Sequence, residues 1–449
     1  MSIGVFALKI GVIGLGVVGL AHAVCLAYKG FMVYGVDVNA EHIQLIRGGR
    51  PPFDEPSLRD MLNEVINRTL HVFTEYDILR DTDLTFIAVD TPTREDGTQD
   101  ISSLERAVKD LALVWREKNK YSVVAVKSTV LPGTSRSLAK IFDKVNNGGI
   151  SSGKVGFAVN PEFLREGSAI QDILYPYRII IGGIDEKSSQ GVANLWLNFY
   201  KSVGKVPPIF IMGLEEAELV KYVSNTFLAM RVSFANTIAN ICEKLPNCDA
   251  QRVLEAAGYD PRIGKEYLRP GPGYGGPCLP KDVKAFMRFL HDQNIKSPLI
   301  DSIHETNELQ QQKAIDILVR ELGDLKGKVI AILGLSFKAG TSDIRGSIAI
   351  KIIERLLKMG AIIKVHDPLA LENAKSILGN SVKYCNTIEE AVSDVDSISI
   401  FTEWEVYKEI NPKIISKRTL IMDFRRVLST EDFKKLGFRI YTIGLSPKT

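Results

Sequence analysis

The sequence predicts an α/β fold: two doubly wound domains joined by a long central helix and a helical core. Three observations carry this. Short β-branched runs alternate with helical stretches through the first 200 residues. A 32-residue segment, Leu214 to Leu245, has neither Pro nor Gly and repeats its apolar residues at helical spacing. The last third then returns to alternation. The expected boundaries are 1–213, 214–323 and 324–449.

In the first part, strands are expected at Leu8–Ile13, Met32–Val36, Leu84–Ala88, Val123–Val126 and Val155–Val159, with a helix at Ile101–Val114 between two of them. Alternation of this kind makes a mainly parallel sheet. In the middle, helices follow the long one at Ala250–Ala257, Lys281–Leu290 and Pro298–Leu322. In the last part, Lys328–Leu333 reads as a buried strand, Gly334–Lys338 as a turn, Ile348–Lys358 as a helix and Ile362–Val365 as a second strand. That strand ends at His366-Asp367-Pro368, a loose repeat of the opening, where strand, glycine turn and helix lead to a strand ending at Asp37.

Composition narrows the function. A chain of 449 residues is long enough for roughly three domains. Apolar residues are 45% and charged residues 24%, a globular balance. The 56 basic and 53 acidic side chains leave +3, which does not suggest nucleic acid as a partner. The apolar run from 10 to 28 is punctuated by Gly11, Gly14, Gly16 and Gly19, so it reads as strand, turn and buried helix rather than a membrane span or signal peptide. Five cysteines make no disulfide framework, which favours a reducing cytoplasm. Cys25, Cys242 and Cys385 fit core positions, and Cys248, after Pro246-Asn247, reads as a loop thiol.

Gly14-x-Gly16-x-x-Gly19 stands between a strand and a helix, and Asp37 ends the next strand. Gly14 permits the turn, Gly16 lets backbone approach a pyrophosphate, and Gly19 lets helix and strand pack. The helix N-terminus faces the phosphates. The Asp37 carboxylate suits ribose hydroxyls and repels a 2′-phosphate, so this Rossmann-like domain is expected to take NAD.

Lys221 and Asn225 are four residues apart on the long helix and share a face, where ammonium and amide suit a developing oxyanion. The plainer reading pairs Lys221 with Glu218. In Gly273-Tyr274-Gly275-Gly276-Pro277-Cys278-Leu279-Pro280-Lys281-Asp282, three glycines and two prolines shape a loop. Pro280 suits the first turn of a helix, which sets Cys278 at a helix N-terminus, where the dipole favours thiolate. Asp282 falls in that first turn. Lys127-Ser128-Thr129-Val130 and Asn160-Pro161-Glu162-Phe163-Leu164-Arg165-Glu166 each follow a strand, where doubly wound sheets hold ligands. Thr129 and Glu162 are candidates to orient a water. By itself, Arg262 in the 258–264 turn is an ordinary surface arginine.

These motifs, in this order, together with Phe337-Lys338, Asp343-Ile344-Arg345 and Asp423-Phe424-Arg425, resemble those of the UDP-glucose/GDP-mannose dehydrogenase family over nearly the whole chain. The resemblance implies an NAD domain, a helical dimerisation core and a UDP-sugar domain in a homodimer or higher homo-oligomer. It implies four-electron oxidation of UDP-glucose to UDP-glucuronate with two NAD reduced. By carry-over, Cys278 is the nucleophile, Lys221 and Asn225 stabilise oxyanions, Asp282 and Thr129 engage the water, and Glu162 is an acid/base. Cofactor contacts fall to Gly14, Gly16, Val17, Val18, Gly19, Asp37, Thr91, Thr129, Glu166 and Arg345. Substrate contacts fall to Glu162, Phe163, Leu164, Glu166, Lys221, Asn225, Tyr274, Gly275, Lys338 and Arg425, and to Arg262 from a partner subunit. No metal is implied.

Pro277 stands where serine is common in the family. Gly167 and the 260–264 turn look more like members that act on UDP-glucose than on GDP-mannose, and the Phe163-Leu164 pair counts against N-acetylated sugars. Two rival readings remain. A two-electron hydroxyacid dehydrogenase needs no cysteine and no second nucleotide domain. A non-catalytic nucleotide-sugar sensor has no use for Cys278, Lys221 and Asp282 together.

Overall fold

The structure is a computed structural model that describes residues 8–446. The chain separates into two compact units, and the division falls inside the long helix, after Val223.

The first unit holds an eight-stranded sheet. Its strands are β1 (Lys9–Ile13), β2 (Met32–Val36), β3 (Leu70–Phe73), β4 (Leu84–Ile87), β5 (Ser122–Val126), β6 (Val155–Val159), β7 (Ile179–Gly183) and β8 (Ile209–Gly213). Their order is β3-β2-β1-β4-β5-β6-β7-β8. The chain reverses its direction of travel across the sheet between β1 and β4, the place where doubly wound sheets bind ligands at the carboxyl ends of their strands. Helix Val17–Tyr28 packs on one face through Leu20, Val24 and Leu26, with Trp196 and Phe199 beside it. Helices Ser102–Val114 and Thr134–Val145 cover the other face through Leu104, Leu111, Leu138 and Phe142.

The apolar run is thus a strand, a turn and a buried helix, and among the described residues no helix is long and apolar enough to cross a membrane. The pairing is parallel throughout except between β6 and β7, which run antiparallel. β3, β7 and β8 were not foreseen. β3 has only four residues, and β8 is an edge strand with Phe210 and Ile211 exposed, so neither carries a buried apolar run.

The second unit contains the helices Ala250–Gly258, Leu279–Asp292 and Pro298–Leu322 and a six-stranded parallel sheet. Its strands are β9 (Val329–Leu333), β10 (Ile362–His366), β11 (Lys383–Tyr384), β12 (Ser397–Ile400), β13 (Leu420–Asp423) and β14 (Arg439–Thr442), in the order β11-β10-β9-β12-β13-β14. This is the first sheet's winding again, with the switch point between β9 and β12. The long helix runs from Leu214 to Cys242, 29 residues, and stops three short of the expected end.

One expectation fails in part at that end. Cys242 is buried in the core as expected, but it is joined in a disulfide to Cys248, read as a loop thiol, with Cα atoms 4.9 Å apart. Asn247 adopts φ +56° and folds the chain back, so two cysteines six residues apart meet. Cysteine number and spacing alone do not reveal such a turn.

Candidate active site

The glycine turn is built for a dinucleotide. Gly14 has φ +87°, open to glycine at little strain. A Cβ on Gly19 would lie 1.8 Å from Gly14 O, so helix and turn touch backbone to backbone. A Cβ on Gly16 would meet nothing within 4 Å, which leaves the open approach that a pyrophosphate needs. Val17 and Val18 open the helix just beyond, with N–H groups facing out of its N-terminus. Asp37 accepts from Leu15 N–H at 2.7 Å and Asn39 N–H at 2.9 Å and stays half-exposed. These residues fit NAD.

Two loops beside this turn are pinned from a distance. Thr129 O accepts from Thr91 Oγ1 and from Gln99 Nε2, both at 2.7 Å, and Gln99 also reaches Tyr222 Oη at 3.3 Å. The helix that follows begins after Gly133, which has no side chain to cap it. The buried Glu218 carboxylate caps it instead, accepting from Gly133 N–H at 2.7 Å and Ser135 N–H at 2.6 Å. Glu55 does the same for the next loop, accepting from Gly167 N–H at 2.8 Å and Ala169 N–H at 2.6 Å.

Glu218 is therefore not the partner of Lys221. The Lys221 ammonium donates to Glu162 O at 2.6 Å and pairs with Glu162 Oε1 at 2.9 Å. The Glu162 side chain is 10% exposed. Burial acts to raise its carboxyl, but the Lys221 ammonium, the Leu164 N–H and the Lys127 charge outweigh burial and hold it below the usual carboxylate range. The Phe163 ring lies 4.1 Å from the Arg178 guanidinium and 5.3 Å from the Lys221 ammonium, so the segment after Glu162 is held by two cations. Leu164 packs partly into the core. Arg165 points away, paired with Asp172 at 2.7 Å, while Glu166 remains half-buried in the loop.

In the second unit, Cys278 is exposed and immediately precedes the helix Leu279–Asp292, with Pro280 in its first turn. Asp282 is 1% exposed. Its backbone N–H donates to Cys278 O at 2.9 Å, and its carboxylate accepts from Asn225 Nδ2 at 2.6 Å and Lys281 Nζ at 2.7 Å. Asn225 is thus fixed by the residue four positions beyond the thiol. The glycines of the loop are close-contact sites: a Cβ on Gly275 would lie 2.6 Å from Gly346 O, and one on Gly276 would lie 2.7 Å from the Phe337 ring. The cysteine loop, the Phe337-Lys338 segment and the Arg345 turn are therefore packed together. Arg345 is paired with Asp343, 2.8 Å from Nε to Oδ2. Arg425 donates to Phe401 O at 2.7 Å, and a Cβ on Gly271 would approach it to 3.2 Å.

Two candidates already have partners of their own within the chain. The Tyr274 ring is buried with Ala229, Val283 and Ile303, and its backbone is clamped by Asn307 at 2.7 and 3.0 Å, so its side chain is not presented to a ligand. Arg262 is 88% exposed and paired with Asp260 at 2.6 Å. The residues that reading the sequence missed are supports: Gln99, Glu218, Glu55, Arg178 and Asn307. A helix starting on glycine with no capping side chain is the one signal that pointed to such a partner. Among the described residues no group of His, Cys, Asp or Glu is placed to hold a metal ion.

Known proteins match along the whole chain. Residues 8–200 match the NAD-binding domain of the UDP-glucose/GDP-mannose dehydrogenase family, residues 215–309 its central domain, and residues 331–430 its UDP-binding domain. A UDP-glucose 6-dehydrogenase of Bacillus subtilis (strain 168) is 36% identical over 97% of this chain and 93% of its own. The structure of a UDP-glucose dehydrogenase from Pyrobaculum islandicum superposes with a TM-score of 0.90 at 36% identity, covering 100% of both chains. That of a UDP-D-ManNAc dehydrogenase from Pyrococcus horikoshii gives 0.84 at 29% identity, covering 97% and 99%. With the glycine turn and two doubly wound sheets in place, the chain belongs to the UDP-glucose/GDP-mannose dehydrogenase family and is an NAD-dependent oxidoreductase with a UDP-binding C-terminal domain.

Proposed function

We propose that the protein oxidises UDP-glucose to UDP-glucuronate through a covalent intermediate on Cys278. The observation that carries this reading is the exposed thiol at the start of helix Leu279–Asp292, with a buried carboxylate four residues on that is tied to Asn225. Converting a primary alcohol to an acid removes four electrons, and bound NAD supplies the hydride acceptor in each of two oxidations. Glu162 is the group that takes the alcohol proton as the first hydride leaves. The Cys278 thiolate adds to the aldehyde carbon, and the new alkoxide is a thiohemiacetal that Lys221 and Asn225 stabilise as donors. Loss of the second hydride leaves a thioester. Water, engaged by Asp282 and Thr129, attacks it, and the carbon–sulfur bond breaks to return the thiolate and release the acid.

Lys338, Arg425 and the 162–166 loop are the nucleotide-sugar contacts in this reading, with Arg262 reaching the sugar of a partner subunit. Gly14 to Gly19, Asp37, Thr91, Glu166 and Arg345 hold the cofactor. The working parts are 1–213, 214–323 and 324–449. The enzyme is a homodimer at least, because Leu219, Val223, Phe227, Phe234 and Ile241 stay exposed along the long helix and suit a twin surface. A monomer by light scattering at micromolar concentration contradicts the dimer.

The test is to count NADH per sugar over a panel of UDP-glucose, N-acetylated UDP-sugars and GDP-mannose. Two NADH per UDP-glucose, with the other sugars turned over at least tenfold more slowly, supports the reading. Preference for an N-acetylated sugar moves the substrate toward that of the Pyrococcus relative. In Cys278→Ala, acid formation should fall by several orders of magnitude with NAD affinity unchanged. Normal turnover per folded molecule refutes the nucleophile.

A further inference from the structure

Lys127 follows β5 and Asn160 follows the neighbouring β6, one position beyond the register pair Val126 and Val159. Lys127 is 3% exposed. Its ammonium donates to Asn160 Oδ1 at 3.0 Å and to Asn160 O at 3.3 Å, and lies 5.3 Å from the ring centres of both Phe86 and Trp196. The Asn160 side-chain amide has other partners as well. Asn160 Oδ1 already accepts from Trp196 Nε1 at 2.9 Å, and Asn160 Nδ2 donates to Ile180 O at 2.7 Å. A methionine of similar length would fill the same space against two rings without the several kcal/mol that burying an ammonium costs, about that much per ion. The charge must therefore be used.

We propose that Lys127 is a positioning residue whose buried ammonium anchors the Asn160-Pro161-Glu162 turn and supplies, with Lys221, the positive field in which the Glu162 carboxylate works. Three titratable groups face it: Glu162 on the turn, Lys221 on the long helix and His22 on the helix after β1. Burial first, and then the Lys127 charge, push the His22 imidazole down, so it stays neutral and Glu162 is the one anion of the set. Burial pushes the Lys127 ammonium down to about 7 and Lys221 pushes the same way, while the Glu162 charge pulls it up. Glu162 and Lys127 thus sustain each other's ionised form, and loss of the Lys127 charge raises the Glu162 carboxyl.

This inference rests on the reading of Glu162 as the acid/base. The test is the pH dependence of kcat in wild type, Glu162→Gln, Lys127→Met, Lys127→Gln and Lys127→Arg. Glu162→Gln identifies the limb that belongs to Glu162. That limb should move to higher pH in both uncharged Lys127 variants and stay in place in Lys127→Arg. The KM for NAD should be unchanged. A folded Met or Gln variant with the wild-type limb overturns the proposal, as does a Gln variant that behaves as wild type while Met does not, since a hydrogen bond alone then suffices. Failure of both uncharged variants to fold, with Lys127→Arg folded and active, also overturns it in favour of a strut. Wild-type turnover in Glu162→Gln overturns instead the acid/base reading beneath it.

Discussion

At the end of β1, Gly14 N–H donates to Val36 O at 2.8 Å and Leu15 N–H to Asp37 at 2.7 Å; at the end of β9, Gly334 N–H donates to His366 O at 2.9 Å and Leu335 N–H to Asp367 at 2.7 Å. The two units share strand, turn and aspartate, and they differ in the chain just beyond the turn. After Gly16 a helix starts at once, at Val17, so its N-terminal N–H groups are free to face a phosphate. After Ser336 the next helix waits until Ile348, and the intervening loop carries Phe337, Lys338 and Arg345. Asp37 has two donors and a face left to water. Asp367 is 2% exposed and accepts from Leu335, Ser336, Leu369 and Ala370 N–H groups, Ser336 Oγ and Trp404 Nε1. The same local geometry leaves the first aspartate open to a ligand and makes the second a structural clasp, because six donors already fill the Asp367 carboxylate.

The largest effect that can break this contrast is on stability. Asp367→Ala strands six donors and should cost about 3–5 kcal/mol in chemical unfolding of the full chain. Asp37→Ala should cost under about 1 kcal/mol. Equal losses would show that both aspartates are clasps.

Next comes a pH effect in the first unit, where burial pushes the Glu218 carboxyl up to about 7. The unfolded chain ionises this group near its ordinary value of 4.5, so the folded unit holds the extra proton between 4.5 and 7. Its contribution to stability therefore falls as pH rises through that window, by on the order of 3 kcal/mol, and levels off above it. In Glu218→Gln this slope should be absent from urea unfolding recorded from pH 5 to 8. A wild-type slope in that variant assigns the effect elsewhere.

The smallest effect sharpens the ligand side. Asp37→Ala should raise the KM for NAD about tenfold, roughly 1.4 kcal/mol, and erase the preference over NADP. Asp367→Ala, in whatever fraction folds, should leave that preference intact. Equal wild-type efficiency with both coenzymes would sink the role given to Asp37.

The features legible in the sequence are those that short range dictates. The glycine turn, the helix start at Cys278 and Pro280, and the Lys221 and Asn225 face come from dihedral limits and helical period, each within ten residues of chain. Strands β1, β2, β4, β5 and β6 of the first sheet and β9 and β10 of the second were readable because strands buried on two faces form apolar runs, whereas β7, β12 and β13 were missed although they are buried too. Edge strands such as β8 answer to no such demand and passed unseen.

Amino-acid sequence alone therefore determined the α/β class with two doubly wound sheets, the glycine turn and the helix start at the cysteine loop, since each is written in local chemistry. Only tertiary structure decided the partners: Lys221 with Glu162 rather than Glu218, Asn225 with Asp282, Glu218 on a helix 83 residues away, and Asp367 as clasp rather than ligand. A side chain's partner depends on which backbone donors and charges the folded sheet brings to it, and long-range contacts of that kind have no spacing in sequence to reveal them.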